Sequence, residues 1–145
     1  MASTVYLSPA VAMPRWQRMV APALTLGGLG AATLALHLRD PHAAGSWGLC
    51  PSAMLGFWCP GCGGLRAVND LTNFRFADAA SSNLLFVIAL PLILFLLVRW
   101  VTDQWRGTTR AAHPHTTQLL ATGVIASLAV FTVLRNLPTF GWLAP

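Results

Sequence analysis

Three long apolar runs dominate the chain, and polar stretches that contain proline separate them. They cover residues 19–38, 83–101 and 118–134. The middle run is the most continuous, because no polar residue interrupts it from Leu84 to Val98. A helix needs about 20 apolar residues to cross a hydrocarbon core of about 30 Å. Because backbone groups in lipid must find hydrogen-bond partners within the protein, the pattern predicts an all-α membrane protein with three transmembrane helices.

The segments outside the apolar runs define the rest of the organisation. Residues 1–18 have no apolar periodicity and are predicted to form an N-terminal tail. Residues 19–145 then form a single membrane domain, in which residues 39–82 are a loop between the first two spans. Within this loop, the pattern from Gly61 to Asn73 predicts a short amphipathic helix that is interfacial or re-entrant. A cleaved signal peptide is the alternative for the first run, and its length disfavours that alternative.

Composition supports the membrane class and removes several functions. Hydrophobic residues make up 55% of the chain and charged residues 9%, a balance too apolar for an ordinary soluble domain. Every basic residue is arginine and every acidic residue is aspartate, which excludes lysine chemistry and paired glutamates. The net charge of +5 comes from arginines that are spaced singly along the chain, so we expect no nucleic-acid partner. The sequence contains no nucleophile elbow and no phosphate-binding glycine loop.

The arginines also predict the orientation of the spans. One side of the predicted membrane carries Arg15, Arg18, Arg99, Arg106 and Arg110, and the other carries Arg39, Arg66, Arg75 and Arg135. Two arginines of the second group, Arg66 and Arg75, follow the cysteines and are expected to serve the cysteine motif. Fewer ordinary flanking arginines therefore remain on that side. The positive-inside tendency therefore predicts a cytoplasmic N-terminus and an extracytoplasmic cysteine loop.

The loop contains a cysteine cluster, which is the chemically distinctive feature of the sequence. Two Cys-Pro dipeptides bracket a short apolar stretch and the second opens a C-x-x-C motif, giving Cys50, Cys59 and Cys62. A helix that starts near Pro60 would place Cys59 at its positive end and Arg66 one turn beyond Cys62. Both features stabilise thiolate over thiol. Thiolates coordinate metals and attack disulfides, so the spacing alone is compatible with either chemistry.

A metal site would use Cys50, Cys59 and Cys62, with His42 as the candidate fourth ligand. A Cys₃His set suits tetrahedral zinc or another thiophilic metal ion. The simpler alternative is a structural disulfide between two of the thiols on the oxidising side of the membrane. The sequence leaves these two possibilities open.

Thiol–disulfide exchange is a further alternative for the same residues. Cys59 would be the attacking thiolate, Cys62 the resolving thiol and Arg66 the electrostatic activator. The absence of a thioredoxin-like βαβ pattern around the motif disfavours a direct analogue. Covalent haem attachment is excluded, because Gly63 stands where the C-x-x-C-H motif requires histidine.

The cysteine segment resembles a widespread family of small bacterial integral membrane proteins of unknown function. The core of that family reads Cys-Pro-x-Cys-Gly-x-Thr-Arg-Ala, with another Cys-Pro before it. In this chain the resemblance covers residues 50 to about 90 and is carried by Cys50, Cys59, Cys62, Gly63, Arg66, Ala67 and Asn83. Leu65 occupies the threonine position, and Leu84 replaces the proline that follows the asparagine. The resemblance implies a bacterial inner-membrane protein with a shared cysteine–arginine site, and it implies no reaction.

We therefore expect a non-enzymatic, multi-pass protein of the bacterial inner membrane. Its cysteine cluster would form a structural or zinc-like metal site that organises a surface for a membrane protein partner. A membrane thiol oxidoreductase is the alternative. A subunit of an oligomeric transporter is disfavoured, because the spans supply almost no polar groups for a shared pore. In every case the lipid bilayer is the expected environment of the three spans.

Overall fold

The computed structural model describes residues 13–43, 50–108 and 114–144, and the regular structure within them is helical. No strand occurs in these three stretches, as the apolar pattern predicts. In chain order the elements are α1 (Arg15–Leu38), α2 (Pro51–Met54), α3 (Gly64–Thr72), α4 (Phe76–Arg106), α5 (Pro114–Arg135) and a 3₁₀ helix (Pro138–Leu143). Most of the predicted tail, part of the cysteine loop and Arg110 lie outside the described residues.

Helices α1, α4 and α5 are long and apolar enough to cross a membrane, which confirms the prediction of three transmembrane helices. They contain 24, 31 and 22 residues. At about 1.5 Å per residue, each is longer than a hydrocarbon core of about 30 Å. Each helix also begins before its predicted span, because the helix continues into the polar residues that precede the apolar run. Most of the large apolar side chains along these helices are exposed, so their surface suits contact with lipid.

Helices α1 and α4 are antiparallel neighbours. Near the start of α1, the Arg15 guanidinium carbon lies 4.8 Å from the ring centroid of Trp105, near the end of α4. The guanidinium of Arg18 lies directly against Gly107, the residue that ends α4 with a φ of 71°. A side chain at position 107 would collide with Arg18 and would also be strained at that φ. These contacts fix the two helices at the end of the molecule opposite the cysteines.

Helix α4 is interrupted at Asn83, the residue at which the second span is predicted to begin. Asn83 has a φ of −158° and a ψ of 90°, which is extended backbone. Its side-chain oxygen accepts a hydrogen bond of 3.0 Å from the backbone N–H of Phe86, the geometry of a helix N-cap. Asn83 therefore separates a short first segment, residues 76–82, from the apolar helix that follows.

A short helix follows the C-x-x-C motif, as predicted, but it begins later than Gly61. It packs against α4 and α1. Gly63 has a φ of 78°, a left-handed conformation, and α3 starts only at Gly64. The predicted helix start near Pro60 is therefore wrong, and the motif lies in a turn before the helix. The buried residues of α3 are Ala67, Asn69 and Asp70.

Helix α5 is attached to the rest of the molecule through its C-terminal end. Residues 114–130 are all exposed, whereas Phe131 and Arg135 in the last turns are buried. The 3₁₀ helix that follows packs back against α5 and α4. The third span thus reaches the other elements at the level of the cysteine loop.

Candidate metal centre

The structure brings all three predicted cysteines together. The Sγ–Sγ distances are 2.9 Å between Cys50 and Cys62, 3.1 Å between Cys59 and Cys62, and 3.6 Å between Cys50 and Cys59. Cys62 is buried and the other two are half-buried, and none of the three forms a disulfide. Among the described residues, this is the group of ligating side chains that could hold a metal ion.

Two local structures produce this arrangement. Cys50 immediately precedes α2, whose first residue is Pro51, and proline at that position is preorganised for a helix. Cys59 and Cys62 face each other in a turn closed by a 3.1 Å hydrogen bond from the Cys62 N–H to the Cys59 carbonyl. The two Cys-Pro dipeptides therefore start different structures, a helix at Cys50 and a turn at Cys59.

A serine hydroxyl completes the rim of the cluster. Ser52, in α2, places its Oγ 2.9 Å from Cys50 Sγ and 3.5 Å from Cys62 Sγ. These are hydrogen-bond distances to sulfur. Sequence analysis did not identify Ser52, and its position two residues after a cysteine is the only sequence signal that indicates it.

Asn83 holds the cysteine turn against the second span. Its side-chain Nδ2 donates hydrogen bonds of 2.8 Å to the Pro60 carbonyl and 3.1 Å to the Cys62 carbonyl, while its Oδ1 caps the span. The residue is buried, so both ends of the amide are satisfied within the protein. The same side chain therefore positions the start of the transmembrane helix and the backbone of the motif.

Arg135 holds the same turn from the third span. Its Nη1 donates hydrogen bonds of 2.8 Å to the Cys59 carbonyl and 3.1 Å to the Cys62 carbonyl. The residue is only 1% exposed, and its guanidinium carbon lies 4.9 Å from the centroid of the Phe131 ring. Its charge interacts with all three thiols. The sequence pattern predicts that Arg135 is an ordinary membrane-flanking arginine, whereas the structure makes it part of the site.

The residue after Arg135 extends this connection. Asn136 accepts a 2.8 Å hydrogen bond from the Trp58 N–H through Oδ1 and donates one of 2.8 Å to the Trp58 carbonyl through Nδ2. The amide thus pairs with both backbone groups of the residue before Cys59. Together with Arg135, it ties the C-terminal end of α5 to residues 58–62.

The three thiols differ in acidity because they share hydrogen bonds unequally. Contacts with Cys62 and then Ser52 lower the pKa of Cys50 to about 6. The pKa of Cys59 is also lowered, chiefly by Ser52. Burial, followed by the contact with Cys50, raises the pKa of Cys62 to about 11. Without a metal, the cluster therefore favours one thiolate that is stabilised by neighbouring S–H and O–H groups.

The structure does not bring His42, the candidate fourth ligand, to the cysteines. Its Nδ1 lies 2.8 Å from Asp40 Oδ1 and its Nε2 lies 3.5 Å from Asp70 Oδ2, so both ring nitrogens face carboxylates. Asp70 is fully buried and also binds Arg75 at 2.7 Å and the Ser82 hydroxyl at 3.0 Å. The histidine therefore belongs to a separate polar cluster, and the Cys₃His set reduces to three cysteines.

Arg66, the predicted activator of the thiolates, lines a cavity of about 330 Å³ on that polar cluster. The residues around this cavity include His42, Asp70 and Arg75. Within the described residues, the arginine with hydrogen bonds to the cysteine turn is Arg135. The structure thus places a different arginine at the cysteines from the one that the helical spacing suggested.

The cluster can bind a soft metal ion or exchange thiols with a disulfide, because both reactions use closely spaced thiolates.

A family described as a protein of unknown function (DUF2752) matches residues 50–97. That region contains the three cysteines, α3 and the greater part of α4, and it ends before Arg135. No curated protein and no solved structure matches the chain. The comparison is therefore consistent with an uncharacterised family whose matched region includes the cysteine cluster.

Proposed function

We propose that this protein binds a thiophilic metal ion, with Zn²⁺ as the leading candidate, through Cys50, Cys59 and Cys62. The observation that carries the proposal is the mutual approach of three sulfur atoms, with separations from 2.9 to 3.6 Å. Two thiolates bound at about 2.3 Å to a tetrahedral zinc ion lie about 3.8 Å apart. To accommodate an ion at the centre, the two sulfur atoms of each pair therefore need to move apart by less than about 1 Å.

A single metal centre explains the third thiol better than a disulfide does. A disulfide would use two of the three sulfur atoms, yet Cys62 lies within 3.1 Å of both other sulfurs. Three thiolates occupy three corners of a tetrahedron and leave one position for a neutral ligand. The Ser52 hydroxyl, 2.9 Å from Cys50 Sγ, would fill that position as a ligand or would hold a water molecule there.

The role we propose for this centre is structural rather than enzymatic. The ion would join α2 to the cysteine turn. Asn83 in the second span and Arg135 in the third span hold that turn through hydrogen bonds to its carbonyl groups. At the end of α2, Met54 and Leu55 are 76% and 80% exposed and form an apolar edge. An exposed apolar edge held by a rigid support suits the docking of another membrane protein.

We further propose that the cysteine face is extracytoplasmic in a bacterial inner membrane. Arg135 is buried at the cysteines and Arg75 is paired with Asp70, so neither is an ordinary flanking charge. Arg15, Arg18, Arg99 and Arg106 remain at the opposite ends of the spans, where the positive-inside tendency places the cytoplasm. Labelling of intact cells with an impermeant maleimide tests this orientation. In intact cells a Leu55→Cys variant should react above the wild-type background, and a Thr116→Cys variant should exceed that background only after lysis.

The metal proposal is tested by elemental analysis of the purified protein beside a Cys59→Ser/Cys62→Ser double variant. Thiols are counted under denaturing conditions in the same samples. We expect one metal ion per chain and three free thiols in the wild type, and no metal in the variant. A wild-type protein without metal and with one free thiol would overturn the proposal in favour of a disulfide.

Thiol–disulfide exchange is the second candidate, and the lowered pKa of Cys59 beside Cys62, at 3.1 Å, favours it. Cys59 would attack a substrate disulfide and release one substrate sulfur as a thiolate. Cys62 would then displace the second sulfur, so the protein pair becomes oxidised and the substrate reduced. A redox titration of metal-free protein tests this reaction. The proposal requires a reversible two-electron couple that a Cys62→Ser variant lacks.

A further inference from the structure

Arg135 is the buried charge that the proposed metal function does not yet explain. Its side chain is 1% exposed, and only Nη1 is used in hydrogen bonds to the cysteine turn. The buried Nε and Nη2 groups have no hydrogen-bond partner among the described residues. A buried guanidinium with unused donors requires a nearby negative charge to offset its desolvation.

The groups that can supply this charge are the cysteines. The Nη1 group lies 2.8 and 3.1 Å from the Cys59 and Cys62 carbonyl oxygens, so the guanidinium is adjacent to the cysteine cluster and its charge acts on the thiolate forms of all three cysteines. Among the described residues Arg135 forms no ion pair with a carboxylate, and Asp40 and Asp70 bind His42 and Arg75 instead. The charge that Arg135 faces is therefore set by the state of the thiolate centre.

Charge counting connects Arg135 to the kind of ion that the centre would hold. Three thiolates around a divalent ion carry a net charge of −1, which one guanidinium neutralises. Three thiolates around As(III) carry no net charge and would leave Arg135 unbalanced. A fourth anionic ligand on a divalent ion would leave one negative charge without a partner.

Building on the proposed metal function, we infer that Arg135 is the counter-charge of the loaded centre. The centre is thus suited to a divalent thiophilic ion held by three thiolates, with a neutral group as the fourth ligand. Arg135 is a positioning residue, because it acts on the ion through the cysteine thiolates and through the backbone carbonyls of the cysteine turn. Its contribution is increased by its burial, because charge interactions are poorly screened away from water.

Two ions that bind the same number of thiols but give centres of different net charge distinguish this counter-charge role from simple support of the turn. Cd²⁺ binds three thiolates as an anionic complex. Arsenous acid reacts with three thiols to give a neutral As–S₃ centre and three water molecules. The purified protein is titrated with each ion, and binding is followed by the ultraviolet absorption of the metal–sulfur bonds. The variants are Arg135→Gln, Arg135→Lys and, as the matched control away from the cysteines, Arg66→Gln.

We expect Arg135→Gln to weaken Cd²⁺ binding, which loses its counter-charge, and to leave As(III) binding unchanged or stronger, so that the ratio of Cd²⁺ to As(III) affinity falls by about 10- to 100-fold. Arg135→Lys should restore most of the Cd²⁺ affinity, and Arg66→Gln should match the wild type. Retained As(III) binding also shows that the cysteines remain assembled in each variant. Equal losses for both ions, or no loss for Cd²⁺, would overturn the counter-charge and leave the metal site standing. A wild-type protein that binds neither ion would instead contradict the metal function itself.

Discussion

Arg135 donates a hydrogen bond of 2.8 Å to the carbonyl oxygen of Cys59, although the two residues are 76 positions apart in the chain. The bond joins the end of the third span to the turn that holds two of the three cysteines. Asn83 grips the same turn from the second span, through the carbonyl oxygens of Pro60 and Cys62. The cysteine centre is thus the point at which the loop, the second span and the third span meet.

Asn83→Ala should destabilise the protein substantially. The change removes a helix cap, which contributes about 1 kcal/mol, and leaves the Pro60 carbonyl without its side-chain donor, which costs about 1–3 kcal/mol. We expect a loss of about 2–4 kcal/mol in equilibrium unfolding in detergent micelles. The exposed Asn73, changed to Ala, serves as the control and should lose less than about 1 kcal/mol. Similar losses for the two variants would show that Asn83 does not hold the turn.

Metal-free protein should contain one unusually reactive thiol. Because the pKa of Cys50 is lowered to about 6, its thiolate is present above about pH 6 and disappears as the pH falls through that value. Cys62, with a pKa raised to about 11, should react slowest at neutral pH. Alkylation rates measured from pH 5 to pH 9 in the presence of a chelator, with each site mapped by mass spectrometry, check this order. A Ser52→Ala variant should shift the reactive thiol to higher pH, and an unshifted profile would contradict the proposed hydrogen bonding.

Asp70→Ala should be the most damaging change in the polar cluster beside α3. The carboxylate is fully buried and joins Arg75, Ser82 and His42, so its removal leaves the buried Ser82 hydroxyl without its acceptor and Arg75 without its counter-charge. We expect a loss of about 2–4 kcal/mol in unfolding free energy. Asp78→Ala is the matched control, because Asp78 is exposed, and its effect should stay within about 0.5 kcal/mol. Equal effects would mean that burial of Asp70 contributes little.

His42→Ala should leave the metal content unchanged. Both ring nitrogens face carboxylates, so neither is directed to the sulfur atoms. A Cys50→Ser variant measured in parallel should lose the ion, because it removes one of three thiolates. Loss of metal in both variants would restore the Cys₃His site that the sequence suggested.

The three spans could be predicted from the sequence because a continuous apolar run of sufficient length forms a helix in lipid, where its backbone groups must find partners within the segment. The grouping of Cys50, Cys59 and Cys62 could also be anticipated, since all three lie within one short loop. The start of α3 was misplaced because Gly63 adopts a left-handed conformation, and nothing in the apolar pattern signals that local choice.

The partners of the cluster could not be predicted, because they come from distant parts of the chain. Arg135 ends an apolar run, and an arginine at that position ordinarily faces the headgroups. Helical spacing favoured Arg66 as the activating arginine because it counts only residues on one helix. His42 lies in the same loop as the cysteines, whereas its orientation depends on Asp40 and on the buried Asp70.

The most direct test of the central claim is X-ray absorption spectroscopy at the edge of the metal that the purified protein contains. If that metal is zinc, the proposed centre predicts three sulfur neighbours at about 2.3 Å and one oxygen neighbour at about 2.0 Å. A first shell that contains no sulfur, or any number of sulfur atoms other than three, would contradict a centre built from Cys50, Cys59 and Cys62.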